Sequence, residues 1–470
     1  MQTPIKITLK YWKDKTKAVR GLSEIYRLRL RRRDARIAKL EARIAELESI
    51  ITPEQVYAHH YPAQMMALAV FTVVAGGSYR LAAKVVWFYA QMMGWSYGLP
   101  SQVTIRNWMM KCGLFAMEQS NQMGEQLTVI MDESIQIGKE KLLLLLGFPN
   151  TMHQTQCGEL CHSDVRVLGM AVRTSWTGDA IAGFLKERMQ TWSAQVTKVL
   201  SDRGTNLLKA CKVLNIDHIS DCSHHMMNAV KSIFDQDEAL NQLCTQVGKL
   251  RQRLCMTDYA YLLPPTLRDK DRFCRMFQLV DWMERVKTYL VQDEQGAQQY
   301  LAFLSGTEAL QNRLKQVRDL VQIGGQILRR CGLSEVAYQI WKQRATIYLK
   351  EQSQLSQAAL SFVEHMNTYF EQHKALWQNG QRWLCCSEVI ESIFGRYKNK
   401  GGMQVISADI LAIPLYGQFI SVQWVKKAMQ ETSINRVDEW RMNHVCMNRY
   451  GILKQIKKEQ KATYDLVQLE

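Results

Sequence analysis

The chain has 470 residues, more than one compact core supports, so we expect two to four domains. Lysine and arginine outnumber aspartate and glutamate by 60 to 44, and the net charge of +16 favours a polyanionic partner. A hydrophobic content of 47% excludes a wholly disordered chain. No run approaches the roughly 20 apolar residues of a membrane span, and no segment of signal-peptide type begins the chain. Because the 12 cysteines are scattered and indicate a reduced state, we expect a cytoplasmic protein.

A basic helix followed by a short coiled coil is predicted within residues 1–60. Six arginines fall between positions 27 and 36. Excess charge also serves solubility, but this clustering favours phosphate contacts, so we assign Arg31, Arg32 and Arg33 to DNA binding. Apolar residues then recur at the 3-4-3-4 spacing of a heptad seam, at Ile37, Leu40, Ile44, Leu47 and Ile51. Two clean heptads leave two interpretations open: self-association through a short coiled coil, or an amphipathic helix packed on its own domain.

Residues 61–122 are predicted to form a small helical DNA-binding domain. Ser78 is placed to cap one helix, and Ser101 to cap a second, short helix over residues 102–113. A short helix with early polar residues after a turn is typical of the second helix of a helix-turn-helix, although the connection is longer than in the simplest motif. We therefore expect DNA contacts from Arg80, Thr104, Arg106 and Asn107. Plain helical packing is the alternative.

The pattern changes between residues 125 and 236, where short apolar runs are interleaved with two helical segments. The runs typical of strands cover 127–131, 141–148, 165–174, 196–200 and 216–219, and the helical patterns cover 179–195 and 206–213. This order predicts an α/β unit with a mixed five-stranded sheet, antiparallel at first and joined by crossovers later. The apolar run at 141–147 also suits a helix, but its length and its Gly-Phe-Pro stop favour a strand.

A long helical stretch follows the predicted sheet. Residues 237–380 are rich in Gln, Leu, Lys and Arg and have helical patterns almost throughout. Because the stretch is far longer than a connecting loop, we predict an all-α domain inserted into the α/β unit. That unit then consists of residues 123–236 plus 381–402, and a basic helical tail covers 403–470.

Three acidic residues lie in the contexts that a divalent-metal site requires. Asp132 and Asp202 each end a strand-like run, and Glu391 lies on a predicted helix. Carboxylate oxygens are ligands that Mg²⁺ prefers, and the end of a sheet fixes their backbone while leaving room for a substrate. Two such ions activate an oxygen nucleophile, neutralise a phosphate and stabilise the leaving oxygen. Each aspartate alone is more simply a turn residue or a helix cap, so the prediction depends on the ordered combination.

Other residues compete for a metal site. The cluster of His153, Cys157, Cys161 and His162 has a Cys-x3-Cys-His spacing that can bind zinc. No second pair with finger-like spacing follows, so a hairpin loop with incidental thiols is favoured. Glu133 follows Asp132 directly, and a strand directs it to the opposite face, which argues against Glu133 as a ligand.

The segments Met131-Asp-Glu-Ser, Leu200-Ser-Asp-Arg-Gly and Ile390-Glu-Ser-Ile-Phe-Gly-Arg-Tyr-Lys resemble the acidic-triad (Asp-Asp-Glu) transposases of bacterial insertion sequences. The resemblance covers residues 125–236 and 381–402, and more loosely the N-terminal region. It implies a ribonuclease-H-like catalytic domain in which Asp132, Asp202 and Glu391 bind two Mg²⁺ ions, for which Mn²⁺ substitutes. It also implies a nucleoid-associated homodimer or higher oligomer that binds double-stranded DNA, cleaves the ends of its element and transfers the 3′-hydroxyl into target DNA.

A lysine after the third acid strengthens the resemblance. Lys398 follows Glu391 at the spacing of a glutamate-plus-lysine signature found in several transposase families. The interval is close to two helical turns, so both residues lie on one face, and Lys398 is expected to contact a terminal phosphate together with Arg396. This spacing favours Glu391 over Glu388 as the third acid. The tyrosine and arginine that some families place upstream of the glutamate are not matched at the expected spacing, which leaves the subfamily open.

The segment Asp221-Cys-Ser-His224 resembles the Asp/Cys-x-x-His element of transposases that have a helical insertion. There the element supports the active site, so the resemblance assigns that role to Asp221 and His224. A buried core histidine is the plainer interpretation of His224. Two other functions also remain open: a ribonuclease-H-like nuclease that cuts without joining, and a non-catalytic DNA-binding regulator derived from a transposase.

Overall fold

We describe the fold from a computed structural model. It describes residues 3–119, 126–135, 140–156, 158–192, 194–267, 272–292, 295–377, 380–399, 406–448, 450–457 and 460. Over these ranges the chain is a mixed α/β structure in which one five-stranded sheet is surrounded by helices. Within them, none of the helices is long and apolar enough to cross a lipid bilayer.

One helix of 49 residues, α1 (Thr3–Ile51), precedes the other described helices and the sheet. It begins well before the arginine cluster at residues 27–36. Pro4 falls in its first turn, where a missing N–H is tolerated, and good helix formers follow. It ends before Pro53. Each described side chain from Leu9 to Ile44 is exposed. The interpretation of this stretch as a helix packed on its own domain is therefore wrong.

Three helices follow: α2 (Ala63–Val74), α3 (Tyr79–Met92) and α4 (Gln102–Gln119). Ser78 caps α3 by accepting a hydrogen bond from the backbone N–H of Leu81, as expected. The expected end of α4 at Gly113 is wrong. A Cβ on Gly113 would lie 1.6 Å from the carbonyl oxygen of Leu411, so the glycine permits close helix packing and does not stop the helix. Residues 108–117 are all buried, which makes α4 mainly a core helix.

The predicted mixed sheet of five strands is confirmed. The strands are β1 (Gln126–Ile135), β2 (Lys141–Pro149), β3 (Arg166–Arg173), β4 (Gln195–Ser201) and β5 (Asp217–Ser220), with a short helix, α5 (Met152–Thr155), after β2. Their order is β3-β2-β1-β4-β5, antiparallel between β1, β2 and β3 and parallel between β1, β4 and β5. The apolar run from residue 141 is therefore a strand, as favoured.

Two crossover helices, α6 (Gly178–Thr191) and α7 (Thr205–Leu214), join the parallel strands. The predicted continuation of the first helix to Gln195 is wrong, because Gln195 already pairs with Gln126 of β1. Pairing with a neighbouring strand here outweighs the local helical pattern.

The helical character predicted for the long stretch after the sheet is confirmed. Its helices are α9 (Glu238–Leu254), α10 (Arg272–Gln292), α11 (Gln295–Leu301), α12 (Glu308–Cys331), α13 (Glu335–Lys350), α14 (Gln357–Gln372) and α15 (Lys374–Trp377). Helix α8 (Cys222–Phe234) precedes the stretch and α16 (Glu388–Lys398) follows it. Helix α12 is central and packs against α8, α10, α13 and α14. The tail contributes α17 (Val422–Glu431) and α18 (Ile434–His444), which pack on α4.

Side chains alternate along β1, and both faces of the sheet are buried. Val129 and Met131 face a core formed with α6 and α7. Ile130 faces the other side, where it joins a larger core that includes residues of α8 and α16. Leu200 of β4 belongs to that second core as well. By this alternation Asp132 and Asp202 belong to the face that α8 and α16 cover.

Candidate active site

The two aspartates lie at the same level of the sheet. Ile130 of β1 pairs with Leu200 of β4 in the parallel register, and Asp132 and Asp202 each lie two residues further along. Asp132 is inside β1, which continues to Ile135, whereas Asp202 directly follows β4. The parallel pair therefore brings both carboxyl groups to the end of the β1–β4 ladder.

Asp132 is surrounded by the other expected site residues. Burial, and then the negative charge of Asp202, raise the pKa of Asp132 to about 7. The charge of Glu391 acts in the same direction, while His224 and a 2.7 Å hydrogen bond from the backbone N–H of Glu133 oppose it. The three predicted acids are thus close enough to repel one another.

Asp202 also has the ordinary role of a turn residue. Its Oδ1 accepts a hydrogen bond of 2.9 Å from the backbone N–H of Gly204, just before α7. This bond fixes one oxygen of the carboxylate and orients the group beside Asp132. The role in the turn and a role in the site are therefore compatible.

Glu391 and Lys398 approach the aspartates from α16. The Oε1 of Glu391 lies 2.7 Å from Nε2 of His224, and this contact raises the pKa of His224 to about 9. The imidazole is therefore protonated at neutral pH. Burial lowers the pKa of Lys398, and the nearby Asp132 carboxylate acts against that shift. Two cationic side chains thus adjoin the three acids.

Glu388, the competitor of Glu391, is bound elsewhere. Its Oε1 accepts hydrogen bonds of 2.8 Å from Arg329 of α12 and from Ser223 of α8. Arg329 also forms an ion pair with Glu159 at 2.7 Å. These contacts hold α16 against the helical region, and they leave Glu391 as the glutamate of this helix that faces the aspartates.

Buried Asp221 connects the two helices that carry His224 and Glu391. One carboxylate oxygen accepts a 2.6 Å hydrogen bond from the backbone N–H of His224, and the other accepts one from Ser387, just before α16. The backbone N–H of Cys222 also donates to the carbonyl of Cys385, at 2.8 Å. Ser387 and Cys385 could not be predicted from the sequence, because nothing local shows that distant segments meet here.

Arg396 does not lie with Lys398. Its guanidinium donates to the backbone carbonyls of Val74 and Tyr416, and it lies 4.6 Å from the centre of the Tyr416 ring. These contacts pack α16 against the N-terminal helices. The geometry does not support the phosphate contact that we expected from Arg396.

His153, the first histidine of the candidate zinc cluster, forms hydrogen bonds within the protein. Nε2 of His153 lies 2.7 Å from the Thr128 hydroxyl, and its Nδ1 accepts a 2.9 Å hydrogen bond from the backbone N–H of Leu384. Both ring nitrogens of His153 are therefore hydrogen-bonded, and its side chain connects Thr128 of β1 to Leu384, which precedes α16. Cys157 lies outside the described residues. His225 is half-buried, with Nε2 3.1 Å from the His365 carbonyl oxygen.

The donor chemistry of the site fits a divalent cation, because carboxylate oxygens that repel one another are stabilised by bound positive charge. Nevertheless, within the ranges that the structure describes, no group of three or more His, Cys, Asp or Glu residues is arranged to hold a metal ion. The third carboxylate, that of Glu391, lies 2.7 Å from His224 in this structure. Coordination by all three acids requires Glu391 to leave His224.

A cavity of about 430 Å³ opens beside Glu391, between α8, α12 and α16. Met226, Met227 and Val321 form apolar parts of its wall, and Arg329 lies on its polar side. The sequence did not predict this cavity, because its wall combines helices that are far apart in the chain.

Among the expected DNA-contact residues, Arg106 has a structural partner. It donates to Asp409 through Nε at 2.7 Å and through Nη2 at 3.2 Å, and the Tyr79 hydroxyl donates to the same carboxylate at 3.0 Å. This network ties α3 and α4 to residues 408–415. Thr104 is engaged with the Ser101 hydroxyl and Asn107 is half-buried. The expected residues with exposed side chains are Arg31, Arg32, Arg33 and Arg80.

No protein-family model matches the chain, and no curated protein matches its sequence.

Proposed function

We propose that this protein is a DNA transposase that cleaves the ends of a mobile element and joins the freed 3′-hydroxyl to target DNA. The observation that carries the proposal is the convergence of Asp132, Asp202 and Glu391 at the end of the parallel β1–β4 ladder. This ordered combination of acids, with Lys398 beside them, is what the resemblance to acidic-triad transposases requires.

The proposal includes a ribonuclease-H-like fold for residues 123–236 and 381–402. In its support, the sheet has three antiparallel strands followed by two parallel ones, in the order β3-β2-β1-β4-β5. The helices α9 to α15 lie in the chain between β5 and α16, as expected for a helical insertion. The sheet and α16 together hold the three acids.

Two Mg²⁺ ions bound here would supply an activated oxygen nucleophile and neutralise charge on the phosphate. Asp132 and Asp202 hold their oxygens at a separation that the strand register sets. Glu391 would complete the ligand set from α16. Lys398 adds positive charge, which attracts the phosphodiester to the site.

The test compares cleavage by Asp132→Asn, Asp202→Asn and Glu391→Gln proteins, with Mg²⁺ and DNA that contains the sequences flanking the gene. Glu133→Gln is the matched control, because Glu133 adjoins Asp132 in sequence but pairs with Lys141 at 3.4 Å. The wild type and the control should cleave, and the three variants should fall to the uncatalysed background. Wild-type rates in any of the three would contradict the proposal.

A second assay separates the alternatives. Pre-cleaved DNA with a free 3′-hydroxyl is offered together with a target plasmid, and joined product supports a transposase. Cleavage without any joining identifies a nuclease. Binding without cleavage at every Mg²⁺ and Mn²⁺ concentration identifies a non-catalytic regulator. Both of the latter results would overturn the proposal.

A further inference from the structure

The exposed helix α1 has an apolar stripe that extends well beyond the two heptads first recognised. Continuing the register of Ile37, Leu40 and Ile44 towards the N-terminus places five further large apolar residues at heptad positions a and d. The eight side chains are 42–60% exposed, and they are Leu9, Trp12, Val19, Tyr26, Leu30, Ile37, Leu40 and Ile44. A soluble chain rarely leaves so long an apolar stripe without a partner.

The period of the stripe identifies the shape of the partner. Apolar residues that repeat every 3.5 residues drift by roughly 20° per heptad around a straight helix, which has 3.6 residues per turn. Over the roughly 50 Å from Leu9 to Ile44 the stripe therefore winds around α1. A flat surface cannot follow such a stripe, whereas another helix that supercoils with α1 can.

Two pairs of opposite charges beside the stripe favour a second copy of α1 as the partner. In the same register Arg29 and Arg36 occupy position g. Asp34 and Glu41 occupy position e of the heptads that directly follow those of Arg29 and Arg36. In a parallel pair, position g of one helix meets position e of the next heptad in the other helix. Two copies of α1 therefore place Arg29 beside Asp34 and Arg36 beside Glu41, each contact occurring twice.

We propose that α1 pairs with α1 of a second copy of this chain, as a parallel, left-handed coiled coil whose seam runs from Leu9 to Ile44. The seam is interrupted by polar residues at Thr16, Ser23 and Arg33. Polar residues at such positions lower stability but specify register and partner number. Arg33 has a side chain long enough to extend from the seam into water.

The pairing leaves part of the basic surface free. Arg31 and Arg32 fall at positions b and c, which point away from the partner helix, so the dimer presents both copies of these arginines to solvent. The proposal does not rest on the carboxylate site, because no residue of that site lies on α1.

The first test measures the mass of the full-length protein by sedimentation equilibrium over a range of concentrations. Leu40→Asp puts a charge into the seam, and Ala42→Asp is the matched control because position f points outward. The wild type and the control should be dimers, and Leu40→Asp should dissociate. A monomeric wild type, or a Leu40→Asp protein that dimerises as well as the wild type, would overturn the proposal.

Charge exchange tests the orientation. In the parallel pair, Arg36→Glu and Glu41→Arg should each weaken dimerisation by about tenfold, because like charges then meet twice, and the double variant should restore it. In an antiparallel pair of the register that sets Arg36 beside Arg29, Glu41 would lie beside Arg20. Arg36→Glu would then strengthen dimerisation, and that result would refute the parallel arrangement.

Discussion

The carboxylate site and helix α1 are stabilised in opposite ways within one chain. At the site, each acid is held by partners from the same chain: Asp202 by Gly204, and Glu391 by His224. Along α1, from Leu9 to Ile44, each described side chain is exposed to solvent. The site is assembled by folding, whereas the apolar face of α1 is covered only when a second helix joins it.

This difference separates two kinds of function. Substitutions at the site should change chemistry without changing the number of subunits, and substitutions along the α1 seam should do the reverse. Four further predictions test how far the separation holds, beginning with the largest expected effect.

Asp221→Ala should lower the cleavage rate by about 10–100-fold while leaving dimerisation and DNA affinity unchanged. The physical reason is that His224 and Glu391 lose the buried carboxylate that connects their helices. The measurement is single-turnover cleavage at saturating Mg²⁺.

Asp237→Ala is the control, because Asp237 also caps a helix but bonds to Leu240 and Arg313. It should lower thermal stability without changing the cleavage rate of the folded protein. Equal loss of cleavage in both variants would show that capping alone explains the role of Asp221.

Arg106→Ala should lower the free energy of unfolding by about 2 kcal/mol, because it leaves the largely buried Asp409 carboxylate without its ion pair. Urea denaturation measures the change. Arg80→Ala is the control, since Arg80 is exposed, and it should have little effect on stability. If Arg106→Ala instead weakens DNA binding at unchanged stability, that result would support the DNA contact expected of Arg106 from the sequence.

Arg31→Ala and Arg32→Ala should each reduce the salt dependence of DNA binding by about one unit in the slope of log affinity against log salt concentration. Both arginines are exposed on α1, and neither belongs to the proposed seam. Arg344→Ala, another exposed arginine on α13, should leave the slope unchanged. A change in subunit number in the α1 variants would show that binding and association are not separate.

The smallest effect concerns pH. The pKa of Asp132 is raised from 3.8 to about 7 in the folded protein, so its contribution to stability is present below pH 3.8 and is lost as pH rises through about 7. Between pH 5 and pH 8 in EDTA, the melting temperature of the wild type should therefore fall by a few degrees more than that of Asp132→Asn. Asp217→Asn, at an exposed position, should follow the wild type. Identical profiles for all three would contradict the pKa shift.

The sheet was predictable because its signals are local. Apolar runs of strand length, with turn residues between them, predicted the five strands to within a few residues. Two of these runs end just before Asp132 and Asp202. Helix ends were less predictable. Gly113 resembles a stop signal, but it is needed where Leu411 approaches α4, and that approach is a tertiary contact.

The roles of individual arginines could not be predicted from residue type. Arg106 pairs with Asp409, and Arg396 donates to the carbonyls of Val74 and Tyr416. Each partner comes from a different part of the chain, so nothing near the arginine in sequence distinguishes a phosphate contact from an internal one. The length of the α1 seam was underestimated for another reason: polar residues at Ser23 and Arg33 interrupt a register that otherwise continues.

The hydrogen bond between Cys222 and Cys385 has a consequence for how the molecule can be altered. The chain leaves the sheet region and returns to it at adjoining points, since the two backbone groups are 2.8 Å apart. The two backbone connections of the segment between them therefore lie at one place, and Arg329 of this segment adds ion pairs to Glu159 and Glu388. A different helical module, or a short turn, with the same end-to-end separation would preserve the backbone connection around Asp221. A change in the length of this segment can therefore leave the sheet and its two aspartates in place.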